Sequence, residues 1–198
     1  MTRINMLYIA SFAVLLSIVL SAKASANWRL EDSSSELSFI STKNLHISEV
    51  HKFSELNGSL NEAGVLHIEI NLASVETGID IRNTRMREKL FLVDKFPKAT
   101  LNAVLPEQII KLKKGHSVTL ELPAKLTIMT IEKPLVIAVQ VSKTMEGQFI
   151  ATSAKPILIG ATDFGLKPGV ELLQQIAGLS SIGLSVPVTF NLVFEPGQ

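Results

Sequence analysis

The stretch Val65-Leu-His-Ile-Glu-Ile-Asn-Leu72 decides the fold. Leu66, Ile68, Ile70 and Leu72 alternate with His67, Glu69 and Asn71, and period two is the spacing at which side chains leave a strand on opposite faces. One face is apolar and the other polar. The same pattern recurs over Val118 to Ile128, with Val118, Leu120, Leu122, Leu126 and Ile128 set against Thr119, Glu121, Lys125 and Thr127. It returns, less cleanly, over Leu135 to Val141 and Ile182 to Phe194.

Shorter strands are expected at Glu36 to Ser41, Glu55 to Leu60, Thr100 to Leu105 and Gln148 to Ala154. Turn signals fall at Asn57-Gly58, Glu62-Ala63-Gly64, Lys114-Gly115, Glu132-Lys133-Pro134 and Glu146-Gly147. Roughly eight strands so spaced predict an antiparallel barrel or sandwich. Two segments break the pattern. Asn83 to Leu92 reads as a helix with Met86, Leu90 and Phe91 on one face and Arg85, Arg87 and Lys89 wet. Val170 to Ala177 reads as another, closed by Gly178.

Upstream of this pattern the chain begins with Arg3, an uncharged apolar run from Met6 to Leu20, and Ala24-Ser25-Ala26. Positive start, short apolar core and small-x-small site predict a cleavable secretory signal peptide over residues 1–26. The run is shorter than the ~20 residues of a membrane-spanning helix, so no stable span is expected after cleavage. No cysteine is present to carry a lipid. The expected mature chain, residues 27–198, is one domain in the periplasm or outside the cell.

Cleavage would take Arg3 and Lys23 from the 19 basic residues and none from the 18 acidic ones, moving the formal charge from +1 to about −1. That balance excludes nucleic acid as a partner, because phosphate backbones select clustered Lys and Arg. Without cysteine the domain has no disulfides. Burial and backbone pairing must hold it.

Catalytic signatures are missing. The sequence has no G-x-S-x-G, no G-x-x-x-x-G-K and no G-x-G-x-x-G, so no catalysis and no cofactor are expected. His46-Ile-Ser-Glu49-Val-His51 approaches a zinc motif. On a helix, residues five apart diverge by roughly 140°, and on a strand they face opposite ways, so no metal is expected. Arg82, Arg85, Arg87 and Lys89 could receive an anionic head group such as a diphosphate, or form a solvated face with Arg85 and Glu88 paired. Asp80, Asp94 and Asp163 sit in turn-like contexts where carboxylates bond backbone amides.

Ser74-Val75-Glu76-Thr77-Gly78, then Arg82-Asn83, Leu90-Phe91 and Lys95-Phe96-Pro97-Lys98-Ala99-Thr100 resemble, in order and spacing, the YceI-like lipid/polyisoprenoid-binding family. Leu126-Thr127-Ile128 with Lys133-Pro134, Thr162-Asp163-Phe164-Gly165-Leu166 and Ile176-Ala177-Gly178-Leu179 extend the resemblance over nearly all of the expected mature chain. Two positions depart from it. The family's hairpin glycine is absent from Met129 to Pro134, which predicts a differently shaped turn, and its frequent Arg-Asp is Arg82-Asn83 here.

The resemblance implies a mainly β fold, an eight-stranded antiparallel lipocalin-like β-barrel with one or two short helices. Its lumen would hold a polyisoprenoid, an isoprenoid quinone or another long-chain amphiphile, and by analogy a homodimer is expected. An eight-stranded barrel is wide enough to be filled by its own side chains or to enclose one ligand. The expected lumen residues are Phe39, Leu66, Ile68, Ile70 and Leu72 early in the chain. Leu120, Leu122, Leu126, Ile128, Ile137 and Val139 follow, and Phe164, Leu172 and Ile176 complete the set. Arg82 and Arg85 are the head-group candidates. The leading expectation is an exported binding or carrier protein. An enzyme acting on a barrel-bound lipid would need Arg82, His51, Asp163 and Glu171 together in the lumen, and a stress-related protein would use the barrel surface for partners.

Overall fold

The computed structural model describes residues 28–197; the signal peptide expected over residues 1–26 lies outside the described residues. The strand segments are β1 (Trp28–Leu30), β2 (Glu36–Lys43), β3 (Ile47–Phe53), β4 (Leu56–Leu60), β5 (Val65–Asn71), β6 (Val75–Glu76), β7 (Lys98–Val104), β8 (Ser117–Ile128), β9 (Ile131–Lys143), β10 (Phe149–Ser153), β11 (Ile157–Gly160) and β12 (Ser185–Pro196).

Each segment pairs antiparallel with its neighbours. β12 closes the ring by pairing with β1, Trp28 opposite Pro196, and with β2, Phe39 opposite Val188. The twelve segments form eight staves, because β1–β2, β3–β4, β5–β6 and β10–β11 are each one stave interrupted once. The result is a closed up-and-down barrel, which leaves few sheet edges to recruit other chains.

The interruptions have local causes. Glu31 caps the turn Asp32–Ser34, and Asn71 caps Leu72–Ser74, each accepting a backbone N–H through its side chain. Asp32 Oδ1 also accepts from the Leu56 amide at 2.7 Å, which ties two interruptions together. Between β10 and β11, Pro156 has no N–H to donate to a ladder.

Two expected turns are strand instead. Asn57 and Gly58 lie inside β4, where a side chain at Gly58 would come 3.2 Å from both the His67 carbonyl and Leu30 Cβ. Glu132-Lys133-Pro134 lies inside β9, with the turn moved to Met129-Thr130 and Met129 in the left-handed region at φ 56°. With no glycine available, methionine takes that conformation.

The helix expected over Asn83–Leu92 is α1 (Asp80–Arg85) running into a π-helical turn (Met86–Phe91) that stops at left-handed Leu92. A four-residue helix, α2 (Glu107–Ile110), follows β7, and α3 (Lys167–Ala177) ends at left-handed Gly178. The chain's alternation puts α2 at one end of the barrel and α1, the π turn and α3 at the other.

The α2 end is sealed. Ile109 is 0% exposed and Phe149 2%. Trp28 meets Phe149 edge-on at 5.1 Å between ring centroids, with Lys143 Nζ over both rings. Gly64, at φ +81°, lets the Leu105 carbonyl lie where a side chain would have to go. Outside the barrel the staves carry ion pairs such as Glu69–Lys98 and Lys125–Glu132. Among the described residues, no helix is long and apolar enough to cross a membrane.

Candidate functional site

The inward faces do not meet at the axis. They leave a cavity of about 550 Å³ running along the barrel, within the ~300–1,000 Å³ of ordinary ligand pockets. Ten of the expected lumen residues stand on its wall: Phe39, Leu66, Ile68, Ile70, Leu72, Leu122, Leu126, Ile128, Ile137 and Val139.

The other four do not. Leu120 faces inward but packs against the core of the sealed end, and Phe164 is buried in the apolar cluster at the other end without reaching the cavity. Leu172 and Ile176 are exposed on α3, which presents Val170, Leu173 and Ala177 to the cavity. The helix has two adjacent apolar stripes. Gly169 selects between them: even a Cβ there would lie 2.8 Å from the Lys89 carbonyl oxygen and 3.0 Å from Leu90 Cα, so α3 rests backbone-close on the π turn.

Polar residues enter the wall at one end. On β2 the inward series Leu37, Phe39, Ser41, Lys43 passes from apolar to charged, and on β3 the series Phe53, His51, Glu49 does the same. Lys43 Nζ and Arg82 Nη1 both reach Glu49 Oε2 at 2.8 Å. Ile79 and Ile81 line the same end although they are 46% and 56% exposed. Wall residues that also meet solvent mark the mouth.

Arg82 is a strut. Besides Glu49 it bonds Thr77, Nε to Oγ1 at 2.9 Å and Nη2 to the carbonyl at 2.6 Å. Asn83, buried beside it, accepts from the Thr77 amide and hydroxyl through Oδ1 and donates to Glu76 through Nδ2. The amide both accepts and donates here, which a carboxylate would not do. Arg85 lines the mouth, half-buried rather than wet, and no ion pair joins it to Glu88, which instead meets Lys89. Arg87 reaches Thr84 at 3.0 Å. The basic helix thus splits, with Arg82 bound into the fold and Arg85 left facing the cavity.

His51 is 3% exposed, its Nε2 lies 2.8 Å from Ser41 Oγ, and its Nδ1 has no hydrogen-bond partner. Burial pushes its pKa below the ordinary histidine value, and the cationic Arg82 works in the same direction. The hydrogen bond from Lys43 holds Glu49 below the ordinary carboxylate value against burial, with Arg82 assisting. His46 sits exposed at the β2–β3 hairpin tip, apart from His51. No group of metal-binding side chains occurs among the described residues.

Of the four residues an enzyme reading would need, Arg82 and His51 meet at the mouth, while Asp163 and Glu171 are exposed on the outside, Glu171 beside Lys167. Ser41 and His51 have the spacing of a nucleophile and its base, but no carboxylate orients Nδ1. Polar and charged side chains thus form a collar at the mouth of an otherwise apolar chamber. Ser41, Lys43 and Glu49 were not foreseen from the sequence; the signal for them is the change from apolar to polar along an otherwise regular inward series.

A family model described as YceI-like domain matches residues 28–194. A polyisoprenoid binding domain from Saccharophagus degradans, implicated in plant cell wall breakdown, is 31% identical; the match covers 87% of this chain and 100% of that one, with a TM-score of 0.84. BcnA of Burkholderia cenocepacia shares the fold at 18% identity and a TM-score of 0.62, over 83% of this chain and 98% of its own. A comparison with curated proteins found no match.

Proposed function

Because the chain belongs to the YceI-like family, we propose that it is an exported carrier which holds one long-chain amphiphile in its barrel, tail in the chamber and polar end at the mouth. The observation that carries this reading is the cavity itself, apolar along its length and polar at one end only. A core filled by its own side chains would leave no such space.

The energetics suit the task. Burying hydrocarbon is worth about 0.8 kcal/mol per CH₂, so an isoprene unit contributes on the order of 3 kcal/mol before binding costs. Few polar contacts are then required. The description of the Saccharophagus relative as polyisoprenoid binding supports the choice of an apolar guest. The signal peptide read from residues 1–26 supports a periplasmic or secreted site of action, where a water-insoluble molecule needs a carrier.

Mass spectrometry of lipid extracted from the purified mature chain tests the proposal, with one ligand per barrel expected. A barrel that co-purifies with no lipid and takes up no apolar dye overturns it. Cell fractionation tests the compartment; protein retained in the cytoplasm with residues 1–26 attached overturns the export reading.

A further inference from the structure

The β2–β3 hairpin turns through Asn44, Leu45 and His46, with Lys43 paired opposite Ile47. Asn44 and Leu45 are both left-handed, at φ 50° and 67°. Asparagine visits that region often, whereas leucine does so at a steric cost that glycine would remove. Packing does not offset the cost, because Leu45 is 74% exposed and Ile47 beside it 48%. Nor is the tip loose. The Asn44 amide donates to the Ser181 carbonyl at 2.9 Å, Asn44 Oδ1 accepts from the Ser180 amide at 2.9 Å, and the Leu45 amide reaches Ser181 Oγ at 3.2 Å. The loop after α3 therefore holds an apolar tip out in water.

The tip stands beyond the mouth. Lys43 and Glu49 line the cavity, whereas Leu45 and Ile47, nearer the turn, do not. Ile79 and Ile81, at the start of α1, are half in solvent at the same end. An exposed apolar patch of this kind marks a contact surface, and the charges beside it say for what. Lys43, Arg82 and Arg85 are three cations against the one carboxylate of Glu49 on the cavity wall, and exposed Asp80, between the two isoleucines, still leaves this end net positive. Apolar side chains amid net positive charge fit a bilayer that carries anionic lipid, the side chains entering the head-group boundary and the cations meeting phosphates. A bilayer is also where a water-insoluble guest resides. Passing directly between acyl region and chamber spares its tail the exposure to water that opposes free transfer, a barrier that grows with each CH₂.

We infer that the mouth docks on the surface of an anionic phospholipid bilayer, with Leu45 and Ile47 inserted, and that the guest passes between bilayer and chamber there. The inference rests on the carrier reading above, which supplies the guest.

Flotation of the delipidated mature chain with vesicles tests docking, using phosphatidylcholine alone and an equal mixture with phosphatidylglycerol. Uptake of the uncharged dye diphenylhexatriene, read as quenching of Trp28, the chain's single tryptophan, tests the chamber when the dye is free in solution and transfer when it is preloaded in the mixed vesicles. The natural chain should bind the mixture about fivefold more tightly than phosphatidylcholine alone, the worth of one net charge near the surface. Leu45→Gly combined with Ile47→Thr should weaken vesicle binding at least about tenfold and slow dye transfer from vesicles. Neither residue lies on the cavity wall, so uptake of free dye should persist. Val104→Ser removes a comparably exposed side chain beside the sealed end and should change none of these.

With uptake of free dye intact, any of four results would overturn the docking inference and leave the carrier reading standing: no flotation, no preference for the mixture, binding or transfer that the tip substitutions leave unchanged, or a vesicle-free dimer that they dissociate, which would make the tip a contact between two copies of the chain. Equal weakening by Val104→Ser would overturn it too. Failure of every protein to take up free dye would remove the carrier reading itself.

Discussion

At the sealed end, Phe149 and Ile109 are withdrawn from water, and Trp28, Lys143 and α2 close over them. At the mouth, Ile79 and Ile81 line the same chamber while half in solvent, and charged side chains share the wall with Leu and Phe. The two ends use one barrel for different ends of one task. Dense packing at the sealed end stabilises the fold, and the loosely covered mouth presents hydrogen-bonding groups that a guest can reach. Substitutions should therefore separate: at the sealed end they change stability, and at the mouth they change binding.

The largest effect is expected for Phe149→Ala, which should cost about 3–5 kcal/mol, the usual loss for a buried aromatic, read as a lower urea midpoint. A loss below about 1 kcal/mol would show that the sealed end does not hold the barrel shut. Gly64→Ala should cost about 1–3 kcal/mol through backbone strain, because its side chain would meet the Leu105 carbonyl with φ in the left-handed region. If it unfolds no earlier than the natural chain, the hairpin there is looser than its geometry implies.

The mouth adds a pH dependence through His51 and Glu49. His51 has a folded pKa below its unfolded one, so as the pH falls the unfolded chain takes up the proton first, and stability should drop from about pH 6.5 downward. Glu49 is also lowered, and its contribution is present above the unfolded carboxylate value and lost as the pH falls further, through the folded one. Thermal melts across this range on the natural chain and on His51→Gln check the assignment. The histidine part of the slope should vanish in the variant, and an unchanged slope would assign it elsewhere. Smallest of all, Ile81→Ala should shift stability by no more than about 0.5 kcal/mol while accelerating dye release. A large loss of stability would mean that the mouth is packed like the sealed end.

Much of the barrel was legible because period two is a local property. All eight expected strands fall on the eight staves, and the alternation of Leu66, Ile68 and Ile70 already names the inward face of β5. The errors also have local causes. Asn57-Gly58 carries turn chemistry, yet at that position Gly58 serves a close approach to Leu30. Leu172 and Ile176 are as apolar as Leu173 and Ala177, so the helix pattern could not choose which stripe faces in. The segments β1, β3, β6 and β11 escaped because each is short, polar or next to an interruption.

From the sequence alone came the strand pattern, the short helices, the expectation of an export signal and the apolar character of the inward faces, all carried by residues close together in the chain. Closure of the ring was a tertiary decision, since it pairs Trp28 with Pro196. The collar was another. Glu49 and Arg82 stand 33 positions apart, and only barrel curvature and the seat of α1 bring them to 2.8 Å. Whether the apolar faces meet or leave a chamber was a third, since eight staves allow either outcome and the packing of side chains across the closed ring decides it.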